Sequence, residues 1–251
     1  MPGTAYGLIP AYDQNKTGMS NNQLLAASTG FLRGRFSILL IAFFVLFLLQ
    51  MLLADFPLTH YSIPAVLLVA LLASVSAFSD NRGGSLLVSV LGVVALAFRW
   101  ATYVSESYVL QFISDSMGVL FFALIAVLIL AAVLREHTVT GDTISGALCV
   151  YFLMALVWAF LFMLVESAHP GSFQITEGKK IAADPNHSLA PPLSVFIYFS
   201  LVTLSTVGYG DILPLTTPAR GLAALEGVIG QFYLAVLVAR LVGLYTARSE
   251  R

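Results

Sequence analysis

Charge is what this sequence has least of. Only 10% of its 251 residues are Asp, Glu, Lys or Arg, against roughly a quarter in an ordinary soluble domain, which leaves too little polar surface to cover a globule in water. Cysteine is almost missing: Cys149 stands alone in an apolar stretch, which excludes an intrachain disulfide. The net charge is -1 and no basic run is interleaved with aromatics, so no nucleic acid is expected as a partner. The histidines His60, His137, His169 and His187 lack metal-ligand spacing. No Ser/His/Asp or Cys/His constellation gathers, so neither an enzyme nor an organic cofactor is expected. No internal repeat stands out, which argues for one unit rather than an array.

Apolar residues are what is present, at 59% of the chain. A helix crossing a hydrocarbon layer of about 30 Å needs roughly 20 mainly apolar residues. Phe36 to Ala54, Tyr61 to Ser79, Ser116 to Leu134 and Thr143 to Val165 meet this without a charged residue. Ser85 to Tyr103 is interrupted by Arg99, which beside Trp100 and Tyr103 suits a snorkelling side chain in an interfacial belt. The last span, Pro218 to Ala247, carries Glu226 near its start and Arg240 near its end. Leu193 to Ser205 is apolar but too short to cross, and suits a re-entrant helix shielded by protein. The expected fold is therefore an all-α, multi-pass membrane protein with six transmembrane helices and a half-span before the last. The apolar run from Phe36 is too long for a signal-peptide core, so it is read as retained.

Basic residues set the orientation. Lys16, Arg33, Arg35, Arg82, Arg135, Arg240, Arg248 and Arg251 fall on the inner side, and only Arg99, Lys179, Lys180 and Arg220 on the outer, when both termini are cytoplasmic.

After the half-span comes Ser205-Thr206-Val207-Gly208-Tyr209-Gly210-Asp211. This string resembles the signature of potassium channels, whose TVGYG loops replace an ion's water shell with rings of backbone carbonyls. An ordinary Gly-rich turn is the competing reading, and the half-span directly before the string speaks against it. The resemblance runs from about Thr143 to Ala247; the first four spans are similar to the peripheral helices of bacterial-type six-transmembrane potassium channels in number and layout only. It implies a homotetramer in the cell (inner or plasma) membrane, with Thr206, Val207, Gly208, Tyr209 and Gly210 as the filter and K+ as the conducted ion. Gly208 and Gly210 enter backbone conformations that a Cβ resists.

The implied organisation is a flexible amino terminus (1–35), a four-helix peripheral domain (36–134), a short linker (135–142) and a pore domain (143–251). The pore domain divides into an outer helix (143–166), outer loop (167–192), pore helix (193–205), filter (206–210) and inner helix (218–247). No carboxy-terminal RCK or cyclic-nucleotide-binding domain is expected.

The chain also departs from such families. The fourth span has no gating charge between Ser116 and Leu134, and Arg135 beyond it reads as an inner anchor, so conventional voltage gating is not expected. The short linker predicts peripheral helices packed on their own subunit's pore. Val202 stands where many relatives carry a glutamate behind the filter. Asp211 is then either solvated or bonded to the Tyr198 hydroxyl. Glu226 is either a proton-sensitive brace or a satisfied partner of hydroxyls such as Thr203. Gly230 is either a gating hinge or a close-packing point, and Gln231, Leu234 and Val238 share the face that would line the cavity. Arg240 is expected to snorkel to the inner interface. His169 and His187 are either outer pH sensors or solvated. A weakly selective cation channel and, from another class, a secondary transporter are the alternatives, and an accessory subunit is a possible partner; the single half-span speaks against the transporter.

Overall fold

The computed structural model describes residues 34–52, 62–77, 82–105, 107–136, 139–175 and 193–249. Expectations for residues 1–33, for His60, His137 and His187, and for most of the outer loop lie outside the described residues. The elements are α1 (Arg35–Leu52), α2 (Ser62–Ala77), α3 (Arg82–Val104), α4 (Tyr108–Arg135), α5 (Gly141–Ala168), β1 (Phe173–Ile175), α6 (Leu193–Leu204), β2 (Ile212–Pro214) and α7 (Thr217–Ser249). Among the described residues, α3, α4, α5 and α7 contain stretches long and apolar enough to cross a membrane. At 18 and 16 residues, α1 and α2 reach about 27 and 24 Å at the usual helical rise.

The helices pack in a closed circuit within one chain. α1 lies on α2 and α5, α2 on α3, α3 on α4, and α4 on α5, while α6 sits between α5 and α7. The joint between peripheral and pore halves is polar. Asp142, in the first turn of α5, accepts the backbone N–H of Phe36 at 2.9 Å and of Ser37 at 3.3 Å. A carboxylate thus faces the electropositive start of α1, while Thr140 and Thr143 close a capping box at the start of α5 itself.

An aromatic cluster fixes the half-span. Phe162 of α5 meets Phe173, Phe196 and Phe199 at centroid separations of 5.4, 6.5 and 5.0 Å. Edge-on and tilted contacts of this kind add to area burial, so the α6 body is held from the α5 side and by β1.

Three features differ from the sequence reading. First, α4 begins at Tyr108, well before Ser116, because Asp115 does not end the helix but lies inside it, fully buried. Second, Arg99 does not snorkel. It is 8% exposed and places Nη1 3.4 Å from Asp115 Oδ1, while Trp100 beside it is 55% exposed. Gln111 also donates to both Asp115 oxygens, at 3.3 and 3.1 Å. An inward counter-charge at the same depth outweighs the pull of the interface. Third, the described residues include a two-stranded antiparallel ribbon, with Phe173 opposite Pro214, Gln174 opposite Leu213 and Ile175 opposite Ile212.

Candidate functional site: the pore helix and the TVGYGD segment

α6 ends at Leu204, and the chain turns into the Thr206–Asp211 segment through its own last carbonyls. Thr206 N–H bonds to Thr203 O at 3.0 Å, and Val202 O accepts Val207 N–H at 3.0 Å and Gly208 N–H at 3.4 Å. The segment is therefore hung from the end of the half-span. Val202, marked in the sequence for its missing carboxylate, serves here through its backbone.

The segment's backbone alternates. Thr206, Gly208 and Gly210 have φ of 57°, 57° and 76°, and Thr206 is the sole non-glycine with positive φ among the described residues. A residue with a Cβ loses about 1–2 kcal/mol in this region. The three backbone bonds to Thr203 and Val202 overcome that cost at Thr206. Alternation lets successive carbonyls face one side, and residues 206–210 are all exposed on the single chain.

Behind the segment, Tyr198 Oη donates to Asp211 Oδ2 at 2.7 Å, and Ile212 N–H donates to Asp211 Oδ1 at 3.1 Å. Asp211 is thus held by the half-span and is not solvated alone. A cleft of about 250 Å³ opens beside this contact, lined by Tyr198, Val202, Thr203, Gly208, Gly210 and Ala223 among others.

The face that α7 turns toward its own chain can be followed residue by residue. Ala219, Ala223, Glu226, Gly230, Tyr233, Leu237 and Arg240 recur at spacings of four and three, a single helical stripe. The polar members reach three different elements: Glu226 accepts from Ser200 Oγ of α6, Tyr233 Oη donates to Ala147 O of α5, and Arg240 donates to the end of α4. The Arg240 contacts are to Val133, Leu134 and Glu136 carbonyls at 2.8, 2.6 and 2.9 Å. Arg240 therefore caps a helix carboxy terminus where snorkelling was expected. Glu226 pairs with Ser200 and not with Thr203, whose hydroxyl is taken by Phe199 O at 2.8 Å. Gly230 lies within unbroken α7, and a Cβ there would stand 2.8 Å from Leu204 Cδ2 and 3.0 Å from Leu204 O, so any side chain at this position would have to displace Leu204. Gln231 and Val238 are exposed and Leu234 half-buried, one register away from the buried stripe.

Sequence reasoning missed Glu166. At the end of α5 it accepts Gly171 N–H at 2.8 Å and Phe173 N–H at 3.2 Å. It holds the turn that starts β1, and β1 pairs with β2 directly after Asp211. His169 belongs to this turn, its carbonyl accepting from Ser172.

A family described as "Ion channel" matches residues 188–247, which contain α6, the TVGYGD segment and most of α7. The chain is 33% identical over 91 residues to "Two pore potassium channel c" of Oryza sativa subsp. japonica, covering 36% of this chain but only 18% of that protein. It is 30% identical over 112 residues to "Protein LctB" of Geobacillus stearothermophilus, covering 45% of this chain and 79% of that protein. Over 85 residues it is 32% identical to "Potassium channel protein kcv" of Paramecium bursaria Chlorella virus 1, covering 34% and 84%. No solved structure matches significantly. With most of a small viral channel aligned at this identity, apolar helices of spanning length and a matching pore segment, this chain belongs to the ion channel family and is a membrane channel protein, not an enzyme.

Proposed function

We propose that the chain is one subunit of a homotetrameric, potassium-selective channel that passes K+ down its gradient through rings of Thr206, Val207, Gly208 and Tyr209 carbonyls. The single observation that carries this reading is the alternating left-handed backbone at Thr206, Gly208 and Gly210, exposed along one side of the chain. One strand cannot enclose an ion; four related by symmetry can. Tyr209 is 71% exposed and Phe232 68% exposed on the single chain, apolar area of the kind that neighbouring subunits would cover.

In this reading α1 to α5 and α7 are six spans with both termini cytoplasmic, α6 is the re-entrant pore helix, and the negative end of its dipole faces the ion cavity. Asp211, Tyr198, Val202 and Glu226 brace the filter. Gln231, Leu234 and Val238 line the cavity, and Gly230 is where α7 would bend. The packing of α1 and α4 on α5 of the same chain supports peripheral helices that stay with their own subunit's pore.

The testing experiment is flux and single-channel recording from purified protein in liposomes. Potassium current that falls when sodium replaces potassium is expected; equal permeability would reduce the reading to a weakly selective cation channel. A voltage series on the same preparation should show shallow opening, because α4 carries no basic residue before Arg135 and one charge moved through 100 mV yields only about 2.3 kcal/mol. Steep, charge-driven opening would overturn that prediction. Tyr198→Phe removes the donor to Asp211, a charge-assisted bond of about 1.5–3 kcal/mol. The variant should shorten filter open times by roughly tenfold or more, and unchanged dwell times would remove Tyr198 from the bracing set.

A further inference from the structure

Two residues that no signature names meet at the back of the half-span. Ser200 of α6 donates its hydroxyl to Glu226 of α7, and both residues are wholly buried. The other carboxyl oxygen of Glu226 has no partner among the described residues. A carboxyl group enclosed in apolar protein at membrane depth is costly to keep unless it does something.

What it does follows from a second contact. One turn further along each helix, Leu204 presses against the bare Cα of Gly230. The two helices therefore touch at Ser200 with Glu226 and at Leu204 with Gly230, four residues apart on both. Apolar surfaces alone can slide and rotate past one another, whereas a hydrogen bond has one distance and one direction. Two in-register points, one of them directional, fix both depth and rotation of α6. That matters because Val202 and Thr203, between them, carry the Thr206, Val207 and Gly208 amides on their carbonyls, so any roll of α6 moves the carbonyl rings directly.

We infer that Ser200 and Glu226 are a positioning pair that holds the pore helix in the one register at which the filter distinguishes potassium from sodium. The inference rests on the potassium-channel reading. It assigns a carboxylate from the inner helix to support the half-span of a chain that has valine at position 202.

The test is the ratio of potassium to sodium permeability, read as a reversal potential under bi-ionic conditions from tetramers in liposomes. Ser200→Ala and Glu226→Leu should each lower the ratio by about tenfold, and the double variant should fall no further, since the two act as a unit. Glu226→Gln, which keeps a carbonyl acceptor for the Ser200 hydroxyl, and Ser200→Thr, which keeps the hydroxyl, should restore it to within about twofold. A merely structural role would lower the yield of tetramer and leave the ratio of the surviving channels untouched; that outcome overturns the inference, as does full additivity of the two changes. Should Glu226→Leu fail to assemble, Ser200→Ala, the loss of a single oxygen atom, decides alone. Unmodified protein that passes sodium as well as potassium would strike the channel reading itself, so the two failures are distinguishable.

Discussion

Gly208→Ala is expected to abolish potassium current while tetramers still form. Nothing lies within 4 Å of the place where a Cβ at residue 208 would stand on the single chain, so the substitution meets open space and is opposed by conformation alone. With φ at 57°, an L-residue loses about 1–2 kcal/mol. In the proposed tetramer that loss would fall four times over, about 4 kcal/mol at the low end, or roughly a thousandfold fewer intact filters. Gly208 also donates to Val202 O, so relaxation of φ would carry the carbonyl away from its ring. Single-channel recording against the unmodified protein measures the effect, and retained selective conductance would mean that the left-handed backbone at this position is dispensable.

Arg99→Met should strongly destabilise the peripheral helices. Asp115 is fully buried, with Arg99 as its ion-pair partner and Gln111 as its amide donor. Removing the cation strands a carboxylate in an apolar bundle, at a cost of about 3–5 kcal/mol. Replacing both partners, as Arg99→Met with Asp115→Leu, takes away the charge that needed a partner, and should recover most of the loss. Thermal unfolding of the purified protein in detergent orders the three: unmodified and double variant close together, the single variant well below. A single variant as stable as the unmodified protein would show that the pair contributes nothing to folding.

The half-span and the segment after it were readable because the 13-residue apolar run Leu193 to Ser205 is too short to be a span, and the observed Leu193–Leu204 helix differs from the expectation by one residue. The start of α4 was not readable, since a rule that ends spans at charges stops at Asp115. Only the three-dimensional meeting of α3 with α4 shows that Arg99 neutralises it. Glu226 does have a hydroxyl partner, as one of its two readings expects, but on Ser200 and not on Thr203, for a local reason. Thr203 looks closer in register, but its hydroxyl bonds back to its own helix, as such residues often do, leaving Ser200 to reach across. Glu166 and the β1–β2 ribbon were invisible because the two strands pair across a long stretch of intervening sequence, and three-residue strands have no periodicity to detect. The stripe from Ala219 to Arg240, by contrast, was present as a four-three spacing and would have turned Arg240 inward had it been followed to its end.

That stripe has a bearing on which lengths α7 can have. Glu226, Tyr233 and Arg240 stand seven residues apart, two helical turns each, and their partners lie on three separate elements. One residue inserted between Tyr233 and Arg240 would rotate everything below it by about 100°. The guanidinium would leave the carbonyls at the end of α4 and swing toward the side occupied by Leu234 and Val238, the face that would line the cavity in the proposed tetramer. Surface loops absorb insertions cheaply, but this helix is phased like a key against three wards. Seven inserted residues would restore the phase but carry the guanidinium about 10 Å along the axis, so the spacing of Glu226, Tyr233 and Arg240 is fixed in number as well as in rotation.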